Sequence, residues 1–251
     1  MHNQSNHLLP IEAAGRGLAT PVARRSFLRY TGASLAVGGL LLAGCSDDDD
    51  DVDPNSNTTD VGQGDIGILN YAYALEQLEA AFYAQVVAGG TGTFFAGASA
   101  GEKAILTDIR DHEAIHAAFF KAALGSSALP ARVPDFSGID FNVRTAAAGA
   151  AKMGVLDAAK AFEDLGVAAY NGAGRFITDV NNLVLAGKIV SVEARHAAAI
   201  RELITSNTFV ASDVVDTATT GKEKSKRPPE VLETANKFLA TGSKLRAPSF
   251  A

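Results

Sequence analysis

Glu113-Ala114-Ile115-His116-Ala117-Ala118 returns later in the chain as Glu193-Ala194-Arg195-His196-Ala197-Ala198, with five of the six positions identical. Both copies are alanine-rich and suit a helix. Each holds Glu-x-x-His, and residues three apart lie on one face of a helix about one turn apart, so the carboxylate and the imidazole of each copy can reach one metal ion together. Two such helices facing each other would hold two ions. A single Glu-x-x-His arises easily by chance on an exposed helix; the weight here rests on the repeat.

Each copy follows a second repeated element, Glu76-Gln77-Leu78-Glu79-Ala80-Ala81-Phe82-Tyr83 and Glu163-Asp164-Leu165-Gly166-Val167-Ala168-Ala169-Tyr170, which share Glu, Leu, Ala and Tyr in register. The step from Glu to Tyr is nearly two helical turns, so each pair lies along one stripe. The chain order is therefore Glu, Glu-x-x-His, Glu, Glu-x-x-His. One Glu from each of two helices with Glu-x-x-His from the other two is the ligand set of ferritin-like di-iron and di-manganese carboxylate bundles. From about Asp65 to Leu203 the chain resembles a ferritin-like domain protein, and Ile68-Leu69-Asn70-Tyr71-Ala72-Tyr73-Ala74-Leu75-Glu76 resembles the first helix of the branch containing rubrerythrin-like and plant desiccation-related proteins.

The resemblance implies an all-α fold, a ferritin-like four-helix bundle with one long crossover between helices 2 and 3. It implies Glu76, Glu113, His116, Glu163, Glu193 and His196 as ligands of two Fe ions, with manganese also compatible with the ligand types. Glu79 lies one turn beyond Glu76 and competes with it; the repeat register favours Glu76. Tyr83 and Tyr170 are either core aromatics or donors to ligand carboxylates. Beyond the first residues only three histidines remain, His112, His116 and His196. His112 lies beside Glu113, which suits a residue behind the ligands or on the surface.

Of the 251 residues, 47% are hydrophobic, enough for one globular domain with appendages. Residues 1–45 read as an export signal. Arg24-Arg25-Ser26-Phe27-Leu28-Arg29 resembles a twin-arginine motif, the apolar run Ala33 to Ala43 is too short to span a bilayer, and Leu42-Ala43-Gly44-Cys45 resembles a lipobox. Cleavage there would leave Cys45, the only cysteine, as a lipidated N-terminus that ties the chain to a membrane. Residues 46–64, with Asp47 to Asp51, Asp53 and Asp60 and almost nothing apolar, read as a disordered acidic tether. The bundle is expected over residues 65–206 and a C-terminal extension with a short helix over 207–251.

Within the bundle, helix 1 is expected from Asp65, as N-cap, to Val87, and helix 2 from Ser99 or Ala100 to Gly125. The crossover is expected from Ser126 to about Arg144, with Phe136, Ile139 and Phe141 packing over the bundle. Helix 3 lies within Thr145 to Tyr170 and helix 4 runs from about Leu183 to Thr205. After Thr217 to Arg227, Pro228-Pro229 opens the short helix, which ends near Leu239.

The net charge is −6, and seven of the 28 acidic residues fall in the tether, so no basic surface for nucleic acid is indicated. Four carboxylates and two imidazoles suit iron or manganese better than a closed structural zinc site. The leading expectation is an exported bacterial lipoprotein, periplasmic or at the cell envelope, that oxidises Fe²⁺ or reduces oxygen or peroxide. Two alternatives are a stress-associated structural lipoprotein and a metal-sequestering one, both without significant turnover. Rubrerythrin proper would add a rubredoxin-like site with paired cysteines, which this chain lacks, so an electron donor must be external or Fe²⁺ itself. A short tether to a membrane plane argues for a monomer or small oligomer rather than a closed cage.

Overall fold

A computed structural model describes residues 57–251. The twin-arginine motif, the lipobox with Cys45 and the tether up to residue 56 lie outside the described residues. Four long helices form the body: α1 (Gly64–Val87), α2 (Ala100–Leu124), α3 (Val155–Ala173) and α4 (Val180–Ile204). α1 packs chiefly on α2 and α3 chiefly on α4, each pair antiparallel across a short connection. The all-α expectation holds. Among the described residues no helix is long and apolar enough to cross a membrane.

The helix ends follow local chemistry. Ser99 caps α2, its hydroxyl accepting from the Glu102 amide at 3.2 Å while Glu102 accepts from the Ser99 amide at 3.0 Å, and Gly125 at φ +55 ends the helix in a conformation that favours glycine. Asp179 caps α4 through the Asn181 amide at 2.7 Å. Asp65 is not the N-cap expected for α1. Gln63 holds that position, and the Asp65 carboxylate accepts from the Thr178 amide and hydroxyl (2.8 and 2.7 Å), the Asp179 amide (3.0 Å) and Asn182 Nδ2 (3.0 Å). Burial would raise its pKa, but these donors hold it well below the usual carboxylate range. It fastens the start of α1 to the start of α4.

The crossover is longer than expected. Thr145 to Gly154 is not helical in spite of its alanines: Gly149 turns the chain at φ +79, and Asp157 accepts from the amides of Ala146 (2.6 Å) and Gly154 (3.0 Å), drawing the chain back across the start of α3. A Cβ on Gly154 would lie 2.7 Å from Thr145 Cα, so only glycine fits that crossing. Two short parallel strands, β2 (Ile139–Asp140) and β3 (Met153–Gly154), pin the crossover to itself. Phe136 and Phe141 meet the fully buried Phe82 with ring centroids 5.9 and 6.1 Å away, and Ile139 is buried, so this stretch does pack over the bundle.

The tether is also shorter at its C-terminal end than its composition suggests. β1 (Thr58–Asp60) pairs in parallel with β4 (Lys244–Arg246), Asp60 and Arg246 form an ion pair at 2.9 Å, and Val61 is buried. The partner strand lies almost two hundred residues away, so local composition could not announce it. α5 (Pro228–Ala235), opened by two prolines, buries Val231, Leu232 and Ala235 in the main core beside α3. A 3₁₀ turn (Asn236–Phe238) completes the expected short helix.

Between α4 and α5 the chain is tied down by Arg201. Only 3% exposed, it donates to Asp164 on α3 at 2.7 and 2.6 Å and to Asp213 at 3.1 and 2.8 Å. Further on, the Lys226 amide donates to the Ala168 carbonyl of α3 at 3.0 Å.

Candidate metal centre

The ligand face of each helix is the same face that carries its apolar contacts, so the donors are drawn inward by the packing of their neighbours. Leu75, Leu78 and Phe82 bury the α1 stripe holding Glu76, and Phe162 and Leu165 flank Glu163 on α3. All four candidate carboxylates, Glu76, Glu113, Glu163 and Glu193, are 0% exposed. A charged carboxylate buried so deeply must be neutralised, paired or bound to a cation.

The six predicted residues converge into two overlapping groups: Glu76, Glu113, His116 and Glu193, and Glu113, Glu163, Glu193 and His196, the donor atoms in each lying within 4.8 Å of one another. His116 Nδ1 stands 3.0 Å from Glu193 Oε1, 3.2 Å from Glu76 Oε2 and 3.4 Å from Glu113 Oε2. His196 Nδ1 stands 2.8 Å from Glu113 Oε1, 3.4 Å from Glu163 Oε2 and 3.9 Å from Glu193 Oε2. Glu113 and Glu193 thus turn one oxygen toward each histidine and are shared, while Glu76 and Glu163 each belong to one side. The i, i+3 spacing foresaw one Glu with one His per ion. It gave no sign that the motif glutamates lie across both positions, because that depends on how far apart α2 and α4 stand.

Two observations test whether these residues fit metal ions. Glu76 Oε2, Glu163 Oε2, both oxygens of Glu113 and Glu193, and the Nδ1 atoms of both histidines are buried without a hydrogen-bond partner, although they lie close together. Their donor atoms lie within 4.8 Å of one another in each group, close enough to share an ion. Hard oxygens with two imidazoles are also the donor set that octahedral or five-coordinate iron and manganese prefer. The residues fit.

The remaining oxygens of the unshared pair are held from behind. Tyr83 on α1 donates to Glu163 Oε1 at 2.5 Å, and Tyr170 on α3 donates to Glu76 Oε1. Each terminal carboxylate is therefore held by the tyrosine of the other helix, with its second oxygen free for the site. Burial, followed by the neighbouring carboxylates, pushes both phenols well above their ordinary pKa and keeps them donors. Of the two readings of these tyrosines, the structure selects the second.

With only protons to balance the charge, the cluster's acidities are strongly displaced. Burial alone would lower the imidazoles, but the Glu113, Glu193 and Glu76 carboxylates raise His116 to about 12, and Glu113 and Glu163 raise His196 to about 10. Burial pushes Glu163 up to about 8, and burial with repulsion from other carboxylates raises Glu76 and Glu193. Glu113 goes the other way: burial would raise it, yet the two imidazoles hold it at about 2.

Glu79 stands outside both four-residue groups. It is buried, and the point where Gly166 would carry a Cβ lies 3.1 Å from Glu79 Oε1 and 3.6 Å from Glu193 Oε2. Gly166 is the repeat counterpart of Glu79, so the missing side chain on α3 makes room for the extra carboxylate of α1. Burial, then Glu193, raises its pKa. His112 is exposed on α2, with Nδ1 2.9 Å from Nε2 of His196.

Paired helices around four buried carboxylates and two imidazoles are compatible with a di-metal site of the kind found in helical carboxylate bundles. The sequence model of the ferritin-like domain matches residues 64–206, more than half of the chain. The chain belongs to the ferritin-like family. Among curated proteins none matches it.

Proposed function

We propose that this ferritin-like protein holds two metal ions, iron before manganese, and uses them to oxidise Fe²⁺ or to reduce oxygen or peroxide. Support comes above all from Glu113 and Glu193, each of which offers one oxygen to the His116 side and the other to the His196 side. Glu76 with His116 would complete one ion's ligands, and Glu163 with His196 the other's. Ions held by these residues would supply electron transfer and Lewis acidity. The protein's part is to hold the terminal carboxylates through Tyr83 and Tyr170 and to keep bulk water from the buried glutamates. Its sole cysteine, Cys45, provides no on-board electron relay, so electrons come from Fe²⁺ or a separate donor.

The reading includes export through Arg24-Arg25 and membrane attachment through lipidated Cys45, with the chain acting as a monomer or small oligomer. Replacing Arg24 and Arg25 by Lys should retain the precursor in the cytoplasm, and Cys45→Ala should yield a chain without lipid; unchanged lipid labelling would remove that part alone. The central test is elemental analysis after anaerobic Fe²⁺ loading, followed by oxygen uptake. Two ions per chain with oxygen consumed in proportion to Fe²⁺ supports the proposal. A folded chain holding fewer than about one ion refutes the di-metal site, and two ions inert to oxygen and peroxide leave metal sequestration or a structural role.

A further inference from the structure

The repeat relates Glu76 to Glu163, Tyr83 to Tyr170, Glu113 to Glu193 and His116 to His196, but it fails behind the histidines. Four residues before His116 stands His112, and four before His196 stands Val192. The His112 side chain does not serve its own helix. It reaches from α2 to α4, where its Nδ1 lies 2.9 Å from His196 Nε2, the two rings within 11° of parallel.

With a cation at His196 Nδ1, this contact fits only one tautomer of His196. Its Nδ1 faces Glu113 and Glu163, and to bind a cation there it must present a bare lone pair, leaving the proton on Nε2. His112 Nδ1 accepts that proton, and its own Nε2–H is left for solvent on an exposed side chain. A ligand imidazole whose second nitrogen is hydrogen-bonded is fixed in tautomer and orientation and becomes a better donor. No other described residue makes such a hydrogen bond to His116 Nε2, and the His116 side chain is 12% exposed against 6% for His196.

We infer that His112 is a positioning residue that makes the two metal positions unequal: the ion beside His196 binds first and tightly, and the ion beside His116 is the exchangeable one, nearer to solvent. This rests on the di-metal reading above and adds an order of loading to it. The mechanism needs only that His196 is held in its binding-competent orientation before the ion arrives, whereas His116 must be ordered by the ion itself.

The test is anaerobic titration of the metal-free full-length chain with Co²⁺, followed by calorimetry and by the visible absorption of bound cobalt. The native chain should bind in two steps separated by about tenfold or more in affinity. His112→Ala should weaken the first step by ~10–100-fold, the usual cost of losing such a partner, and leave the second unchanged. It should also shift the absorption of the first cobalt. His112→Asn, whose Oδ1 takes the place of Nδ1, should restore much of the loss, which a general packing role would not allow. Unchanged titrations in His112→Ala, or an Asn variant no better than Ala, would overturn the assignment. Two equal steps in the native chain would overturn it whatever the variants do, and a native chain that binds no pair of ions would remove the di-metal reading as well.

Discussion

Raising the pH of the metal-free protein should unfold it, and adding metal should reverse the sign of that dependence. The groups concerned are Glu163, raised from 4.5 to about 8, His196, raised from 6.5 to about 10, and His116, raised from 6.5 to about 12. A group bound to its proton more tightly in the folded state contributes stability that is complete below its unfolded pKa and is lost as pH rises through its folded one. All three shifts act in that direction between pH 5.5 and 8.5. Glu113, held at about 2, acts only below that window. From these three groups the folded chain carries about one proton more than the unfolded chain near pH 5.5 and about two and a half more near pH 7.5, a slope that steepens from roughly 1.5 to roughly 3.5 kcal/mol lost per pH unit. That is a large part of the ~5–15 kcal/mol of a typical domain. Thermal melts of the chelator-treated chain across this range should show Tm falling steadily. With saturating Mn²⁺, which displaces the same protons, Tm should rise with pH instead. A metal-free Tm that climbs from pH 5.5 to 8.5 would show that the six side chains do not form one proton-sharing cluster.

Three further outcomes follow from the packing. Gly172→Ala should destabilise the chain by ~1–3 kcal/mol in urea denaturation, opposite in sign to the usual effect of alanine in a helix, because its Cβ would sit 1.7 Å from the Lys226 carbonyl oxygen; a stabilised variant would mean that residues 222–226 do not lie on α3. Arg201→Met should cost ~2–3 kcal/mol by stranding Asp164, measured as a fall in urea midpoint, with Asp164→Asn recovering part of it. Tyr83→Phe and Tyr170→Phe should each keep two ions per chain but weaken binding about tenfold on the Glu163 and Glu76 sides respectively, resolved by cobalt absorption; identical spectra in both variants would refute the crossed arrangement.

Much of this protein was legible before any coordinates. The four helices follow from apolar periodicity, Ser99 and Gly125 punctuate α2 by local chemistry, and the repeated Glu-x-x-His with its upstream Glu brought six donors to notice because helical spacing is a property of the chain alone. The preference for Glu76 over Glu79 also came from register, and Glu76 is the one within the donor group.

What the sequence could not hold are distances between helices and pairings between remote segments. Whether Glu113 serves one ion or two depends on the gap between α2 and α4, and whether Tyr83 is a core ring or a donor depends on where α3 places Glu163. The sequence leaves His112 either behind the ligands or on the surface, because its partner, His196, lies on another helix and no one-dimensional period links them. Local composition made Thr58–Asp60 a tether and the alanines after Thr145 a helix. The structure decided otherwise, because a strand at Lys244–Arg246 satisfied the one and Gly149, Gly154 and Asp157 redirected the other. Local propensity is worth tenths of a kcal/mol per residue, and a backbone ladder or a buried aromatic supplied from a distant part of the chain outweighs it.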